Sequence, residues 1–331
     1  MMIHDFTFLI FGLCMLLIGG EFLVKNSIIL GQKAKIPSLI IGLTVVAFGT
    51  SAPEMALNVI ATLKHSDGIA FGNIIGSNIA NIGLVLGIAA CIKSLTVRDS
   101  IIIKEIPMAL LAMVVTIILA LDTILHGEIT STYDRTDGLV LLSLFCMFIY
   151  YTIMMALRNN NGEILIEKAE EITSSKFNEL IIINLILIMV GTVMLAGGGW
   201  ITTNSAQSLA RSFGVSETII GLTIIAVGTS LPELVTSIIA VRKNSVDLAI
   251  GNVVGSNIFN VLFVLGICAT ISNISIPSRG YIDLLVAGIL TAIILPFAIT
   301  HKRKIVLAEG IVLLLLYFSY IVWRMFFGGV A

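Results

Sequence analysis

Charge is what this chain has least of. Only 12% of its 331 residues are Asp, Glu, Lys or Arg, against 57% hydrophobic, and its mean hydropathy is +1.07. Soluble domains carry about 25% charged residues. A soluble globular protein is therefore excluded, and with it a disordered chain, a nucleic-acid binder and a coiled coil. The 19 Lys and Arg nearly balance the 20 Asp and Glu, so the placement of charge carries more information than its sum. Cysteine is scarce as well. Cys14, Cys91, Cys146 and Cys268 lie in apolar runs without CxxC spacing, which reads as small buried hydrophobes rather than disulfides or metal ligands. There is no HExxH zinc motif and no Ser/His or paired-Asp catalytic arrangement, so an enzyme is not expected and no cofactor is implied. No basic region precedes the first apolar run and no small-residue cleavage site follows it. That run is expected to be a retained membrane helix.

What is present is a series of long apolar runs. A bilayer core of about 30 Å needs roughly 20 apolar residues in a helix. Ten stretches meet this: about 6–24, 37–62, 68–92, 101–121, 138–157, 179–199, 216–241, 247–271, 281–300 and 305–327. They do not alternate as barrel strands would, so an all-α polytopic membrane protein is expected, each segment satisfying its own backbone. With ten spans, Lys64, Arg135, Arg211, Arg279 and Arg324 fall on one side and the other fourteen basic residues on the other. The basic side faces the cytoplasm, which places the chain in the cell (inner) membrane with both termini outside. The longest loop, 158–178, holds Glu163, Glu167, Glu170 and Glu171 and reads as a solvated amphipathic linker.

The chain is a duplication. Residues 42–88 align without a gap to residues 221–267, at an offset of 179, with 25 identities in 47 positions. Each copy holds five spans, and five is odd, so the second copy enters the membrane from the opposite side. The expected units are a five-helix repeat over 1–157, the linker 158–178, and an inverted repeat over 179–331. Secondary transporters use this architecture, with the binding site near the midplane between the halves.

The repeated block begins GTSAPE (49–54) or GTSLPE (228–233). Pro53 and Pro232 lie mid-span and leave the carbonyls of Gly49 and Gly228 without an intrahelical donor. Freed carbonyls at membrane depth need a partner, and a bound cation serves. Glu54 and Glu233 strengthen that reading. A carboxylate at the bilayer centre costs about 3 kcal/mol or more, and two at equivalent points of an inverted repeat are expected to meet near the pseudo-two-fold axis. Two such anions repel, so a proton or a cation must intervene. No Lys or Arg lies deep in the surrounding spans to do so.

Thr50 and Thr229 stand one turn before the glutamates on the same helical face. Ala47 and Ala226 offer carbonyls, and Ser51 and Ser230 offer hydroxyls. The block ends GNIIGSN (72–78) or GNVVGSN (251–257). Asn73, Ser77 and Asn81 form a polar stripe at helical spacing, and Asn252, Ser256 and Asn260 form its twin. Such a stripe serves equally as helix–helix glue or as the second wall of a site. Hard oxygen donors in this number suit Ca²⁺ better than Mg²⁺, and the same oxygens divide among several Na⁺. Neither His nor Cys stands in the motif cores, which disfavours zinc and copper.

The doubled GTS-x-PE and GN-x-x-GSN motifs, the ten spans and the inverted repeat resemble the calcium/cation antiporter superfamily, and within it the prokaryotic sodium/calcium exchangers. The resemblance implies that Glu54, Glu233, Thr50 and Thr229 hold Ca²⁺. It also implies that Na⁺ uses the same cluster with the Ala47 carbonyl, Ser51 and Ser77, and the Ala226 carbonyl, Ser230 and Ser256. Asn81 fits the family pattern, while several exchangers carry Asp where this chain has Asn260. The first and sixth helices of such proteins are thought to slide across a rigid core. The expected activity is electrogenic Na⁺/Ca²⁺ exchange by alternating access. Exchange of H⁺ or another counter-ion for a divalent cation is the alternative, and a cation channel is a weaker one. The expected partners are the lipid bilayer and inorganic cations, never nucleic acid, with the chain working as a monomer.

Overall fold

A computed structural model describes residues 2–34, 36–121, 131–159, 181–214, 226–277 and 279–327. The expected spans are there as helices. They are α1 (Met2–Ala34), α2 (Ser38–Leu63), α3 (Asp67–Ile92), α4 (Ile101–Leu119), α5 (Arg135–Asn159) and α6 (Ile181–Ser212). The described part of α7 is a turn, Ala226–Thr229, joined through Ser230 to Leu231–Arg242. Then come α8 (Val246–Ile271), α9 (Gly280–Arg303) and α10 (Leu307–Phe327). Residues 216–225 of the seventh expected span, and the linker beyond Asn159, lie outside the described residues.

One expectation needs correcting: α1 runs on to Ala34 and α6 to Ser212, well past their apolar runs. Hydropathy ends at the first charged or polar residues, but these extensions stay helical because they remain packed: Asn26, Ser27, Ile28, Ile29, Thr202 and Ser205 are buried. Helices of 33 and 32 residues are about 50 Å long, and tilt is how a helix accommodates that length in a core of about 30 Å. The fold is all-helical, as expected, and two short strand pairs tie its loops together. β1 (Leu95–Thr96) pairs antiparallel with β4 (Lys304–Ile305), and β2 (Thr132–Tyr133) with β3 (Ile274–Ser275). Each two-strand staple joins a loop of the first half to a loop of the second. β1 and β3 are 179 residues apart, so the two staples repeat the duplication.

The core is built by α2, α3, α7 and α8. α3 and α8 have about four-fifths of their apolar window buried inside the protein, against 33% for α1 and 28% for α6. Glycines let backbones meet where the halves cross. A Cβ on Gly42 would lie 2.6 Å from the Leu248 carbonyl, and one on Gly251 2.7 Å from the Leu39 carbonyl. Outside this core α1 and α6 pack along one another. Gly12 faces Gly198 and Gly19 faces Gly191, where added Cβ atoms would stand 2.7–3.0 Å from the opposing carbonyl oxygens.

Candidate functional site

The described break in α7 lies at Ser230, whose ψ is 5°, one residue before the Leu231–Arg242 helix with Pro232 in its first turn. In the first copy Pro53 is carried inside a continuous helix. The loosening that both prolines lead one to expect is therefore visible at Ser230, while Pro53 leaves its helix unbroken. Among the described residues four helices contain π-turns, two of which bear directly on the site: Asn81–Leu86 in α3 and Phe259–Val264 in α8. They place Asn81 and Asn260 at equivalent wide turns, a distortion frequent at functional sites.

The two glutamates are fully enclosed, at 2% exposure for Glu54 and 0% for Glu233. Glu233 lies close enough for its charge to bear on Glu54. Each is gripped from the opposite half. Asn260 Nδ2 donates to Glu54 Oε2 at 3.0 Å, and Ser51 Oγ donates to Glu233 Oε1 at 2.9 Å. Thr50 and Ser256 hydroxyls also lie beside the Glu233 carboxylate, and the Ser77 hydroxyl beside that of Glu54. Neither half owns a complete site.

The remaining oxygens lack protein donors. Glu54 Oε1, Glu233 Oε2, Asn81 Oδ1, Asn260 Oδ1, Ser230 Oγ and Ser256 Oγ are buried without a hydrogen-bond partner. A buried polar group left unpaired costs about 1–3 kcal/mol, more when charged. The ion pairs among the described residues all lie elsewhere, and none reaches Glu54 or Glu233. Glu54 and Glu233 thus form an anionic, oxygen-lined cluster with no balancing cation among the described residues.

The other expected ligands lie on the four core helices α2, α3, α7 and α8. Thr50 and Ser51 are fully buried on α2; Thr50 Oγ1 donates to the Ala47 carbonyl at 3.3 Å and to Asn252 Oδ1 at 3.2 Å. Thr229 is half-buried in the turn before Ser230, and Ala226 opens that turn. Ser77, on α3, donates to Asn73 Oδ1 at 3.3 Å. Asn81 is buried with both amide atoms unpartnered, so it does not mirror the bond that Asn260 makes.

Sequence reasoning missed two features. Asn252 belongs to the polar stripe but was not placed in the site. It is a hub: its amide nitrogen reaches Ser237 Oγ at 3.0 Å, Thr236 Oγ1 at 3.1 Å and the Glu233 carbonyl at 3.4 Å, while its oxygen accepts from Thr50. Asn78 and Asn257 exchange amide-to-carbonyl bonds of 3.3 and 3.2 Å across the halves. They are 179 residues apart, so this reciprocal pair marks the pseudo-two-fold itself. Their identity in both copies of GN-x-x-GSN was the available signal.

The acids outside the site are otherwise occupied. Glu21 pairs with Lys243 at 2.6 Å, and Asp283 accepts from Tyr320 at 2.8 Å and pairs with Arg324 at 3.3 Å. Glu309 accepts the Val306 amide at 2.9 Å and so caps the start of α10. Glu105 is buried on α4.

Comparison with known proteins gives this geometry a family. The sequence model of the family described as sodium/calcium exchanger protein matches residues 4–154 and 183–326, that is, both halves. The chain is 34% identical over 295 residues to the inner membrane protein YrbG of Escherichia coli (strain K12), covering 86% of this chain and 87% of that one. It is 29% identical over 344 residues to the sodium/calcium exchanger MaX1 of Methanosarcina acetivorans, covering 96% and 97%. A structure of the sodium-calcium exchanger NCX_Mj superposes with a TM-score of 0.81 at 30% identity, covering 97% of this chain and 99% of the other. With both halves matched and the whole fold shared, this chain is a multi-pass membrane transporter, not an enzyme, and it belongs to the sodium/calcium exchanger family.

Proposed function

We propose that this chain exchanges Na⁺ for Ca²⁺ across the inner membrane by alternating access. One observation carries the reading: two buried carboxylates from opposite halves share an enclosure with neutral oxygen donors and no protein cation. Together they carry two negative charges and neutralise one Ca²⁺. Ca²⁺ takes six to eight oxygens at about 2.3–2.6 Å in flexible geometry. Glu54, Glu233, Thr50 and Thr229 would form its first ring. Ser51, Ser77, Ser230, Ser256, Asn81, Asn260 and the carbonyls of Ala47 and Ala226 extend the donor set, which divides among Na⁺ ions when Ca²⁺ leaves. The names of the archaeal relative and of the structural neighbour agree with this pair of ions.

The outer pair α1 and α6 would slide across the core that both repeats, 1–157 and 179–331, build around the shared site, with the linker 158–178 joining the repeats. The basic side would face the cytoplasm and the termini the outside. If roughly three Na⁺ move per Ca²⁺, one net charge crosses per cycle, worth about 2.3 kcal/mol per 100 mV.

The test is radioactive Ca²⁺ uptake into Na⁺-loaded proteoliposomes, against choline-loaded and acid-loaded controls. Uptake is expected only with an outward Na⁺ gradient. An inside-positive potential should speed it, because one net positive charge leaves the lumen for each Ca²⁺ that enters. Uptake driven by the pH gradient alone would make protons the counter-ion and overturn the Na⁺ assignment. In the same assay Thr50→Val is expected to weaken apparent Ca²⁺ affinity by about 3- to 10-fold. It removes one neutral oxygen and the tie to Asn252 but keeps both carboxylates, and a typical neutral hydrogen bond contributes about 0.5–1.5 kcal/mol.

A further inference from the structure

A furrow lies away from the ion cluster, between α1 and α7. Its volume is about 490 Å³. Leu17, Ile18 and Phe22 of α1 and Ile239 of α7 line its floor and walls. Leu17 and Ile18 are 58% and 47% exposed, so the furrow opens to the membrane. Its base is where α1 crosses α7: a Cβ on Gly20 would stand 2.8 Å from the Ile239 methyl. One end is charged. There Glu21 spans the furrow to Lys243, and Arg242 stands beside them. Arg242 is exposed, and its guanidinium has no partner among the described residues.

The depth of that guanidinium matters. Arg242 lies nine residues beyond Glu233 on α7, which is about 14 Å along a helix axis. Half of a bilayer core is about 15 Å. With Glu233 near the midplane, Arg242 reaches the level of lipid phosphates and the apolar furrow runs at the depth of acyl chains. The inverted repeat provides an internal comparison. At the matching place on the opposite face, 179 residues away, Leu63 stands for Arg242 and Trp200 for Glu21, both exposed. That face keeps Ile60 and Ile201 for Ile239 and Phe22 but has Ala196 and Gly197 for Leu17 and Ile18, and its one cation, Lys64 for Lys243, is no guanidinium.

We propose that this furrow is a binding site for an anionic phospholipid, its phosphate held by Arg242 and one acyl chain lying along Leu17, Ile18, Phe22 and Ile239. Charge selects the occupant. Lys243 is already neutralised by Glu21, so the free guanidinium is left to make paired charge-assisted bonds to phosphate oxygens. Anionic headgroups are concentrated on the basic, cytoplasmic side. A lipid seated there would bear on α1 where it leaves the core helix α7.

The test reads binding directly and so stands apart from whether the chain exchanges Na⁺ for Ca²⁺. Native mass spectrometry of the full chain, released from phosphatidylglycerol or phosphatidylcholine nanodiscs, counts the lipids retained. Wild type is expected to keep one phosphatidylglycerol at a concentration where phosphatidylcholine is lost. Arg242→Gln should weaken that adduct about tenfold, and Leu17→Trp, which fills the furrow but keeps the charge, should weaken it as well. Lys302→Gln, an exposed cation elsewhere on the same face, should leave it intact. Retention by Arg242→Gln equal to wild type, equal loss in Lys302→Gln, or displacement by inorganic phosphate would each overturn the proposal.

Discussion

Glu54→Gln and Glu233→Gln are each expected to abolish Ca²⁺ uptake, by 100-fold or more, while leaving insertion and folding intact. The amide keeps the shape of the carboxylate but halves the charge of the cluster. Loss of one of two anionic ligands from a buried cation site costs upwards of about 3 kcal/mol, which is more than 100-fold in affinity. The same substitutions should raise thermal stability in ion-free buffer, because they remove one of two like charges enclosed together without a protein cation. That opposite sign separates a ligand from a structural residue: a fold-supporting glutamate would lose both transport and stability. Exchange at the wild-type rate in either variant would refute the site.

Gly191→Leu is expected to reduce exchange at least tenfold without touching an ion ligand. Its Cβ alone would lie 2.7 Å from the Gly19 carbonyl and 2.8 Å from the Leu23 amide nitrogen. Both are backbone atoms, so α1 and α6 must separate. Exchange by alternating access needs this outer pair to travel together over the core, and a wedge between them breaks the pair. Gly197→Ala is the matched control. Its Cβ meets only the Met15 methyl at 3.3 Å, a flexible end that moves aside, so flux should stay within about twofold of wild type. Uptake measured alongside surface expression distinguishes a jammed transporter from one that never reached the membrane, and normal flux in Gly191→Leu would show that the close crossing is dispensable.

Much of this architecture was legible in the residues. The offset of 179 identified the inverted repeat, and the structure returns that number in the Asn78–Asn257 pair and in β1 against β3. The motif glutamates were legible because a carboxylate at mid-span is too costly to keep unless it meets a positive charge or a proton. The extensions of α1 and α6 were not legible, because hydropathy measures contact with lipid and these turns are held by contact with protein. The part played by Asn252 was not legible either. A polar stripe reveals which face of a helix is wet, but what stands opposite depends on how two helices cross. Nor does composition reveal that Asn260 grips Glu54 while Asn81 leaves Glu233 alone: the two asparagines occupy equivalent places in the repeat, and the difference lies in how the halves are packed.

The two strand staples bear on how the protein is made. β1 leaves the ribosome at residue 96, but its partner β4 is more than two hundred residues later, at Lys304–Ile305. β2 likewise waits for β3. Until α8 is synthesised, the first five helices sit in the bilayer with Glu54 still lacking the Asn260 amide that will hold it. The first half must therefore persist as an inserted but unclosed intermediate, a natural client for membrane chaperones and quality-control proteases. A chain truncated before residue 260 would be stranded in that state.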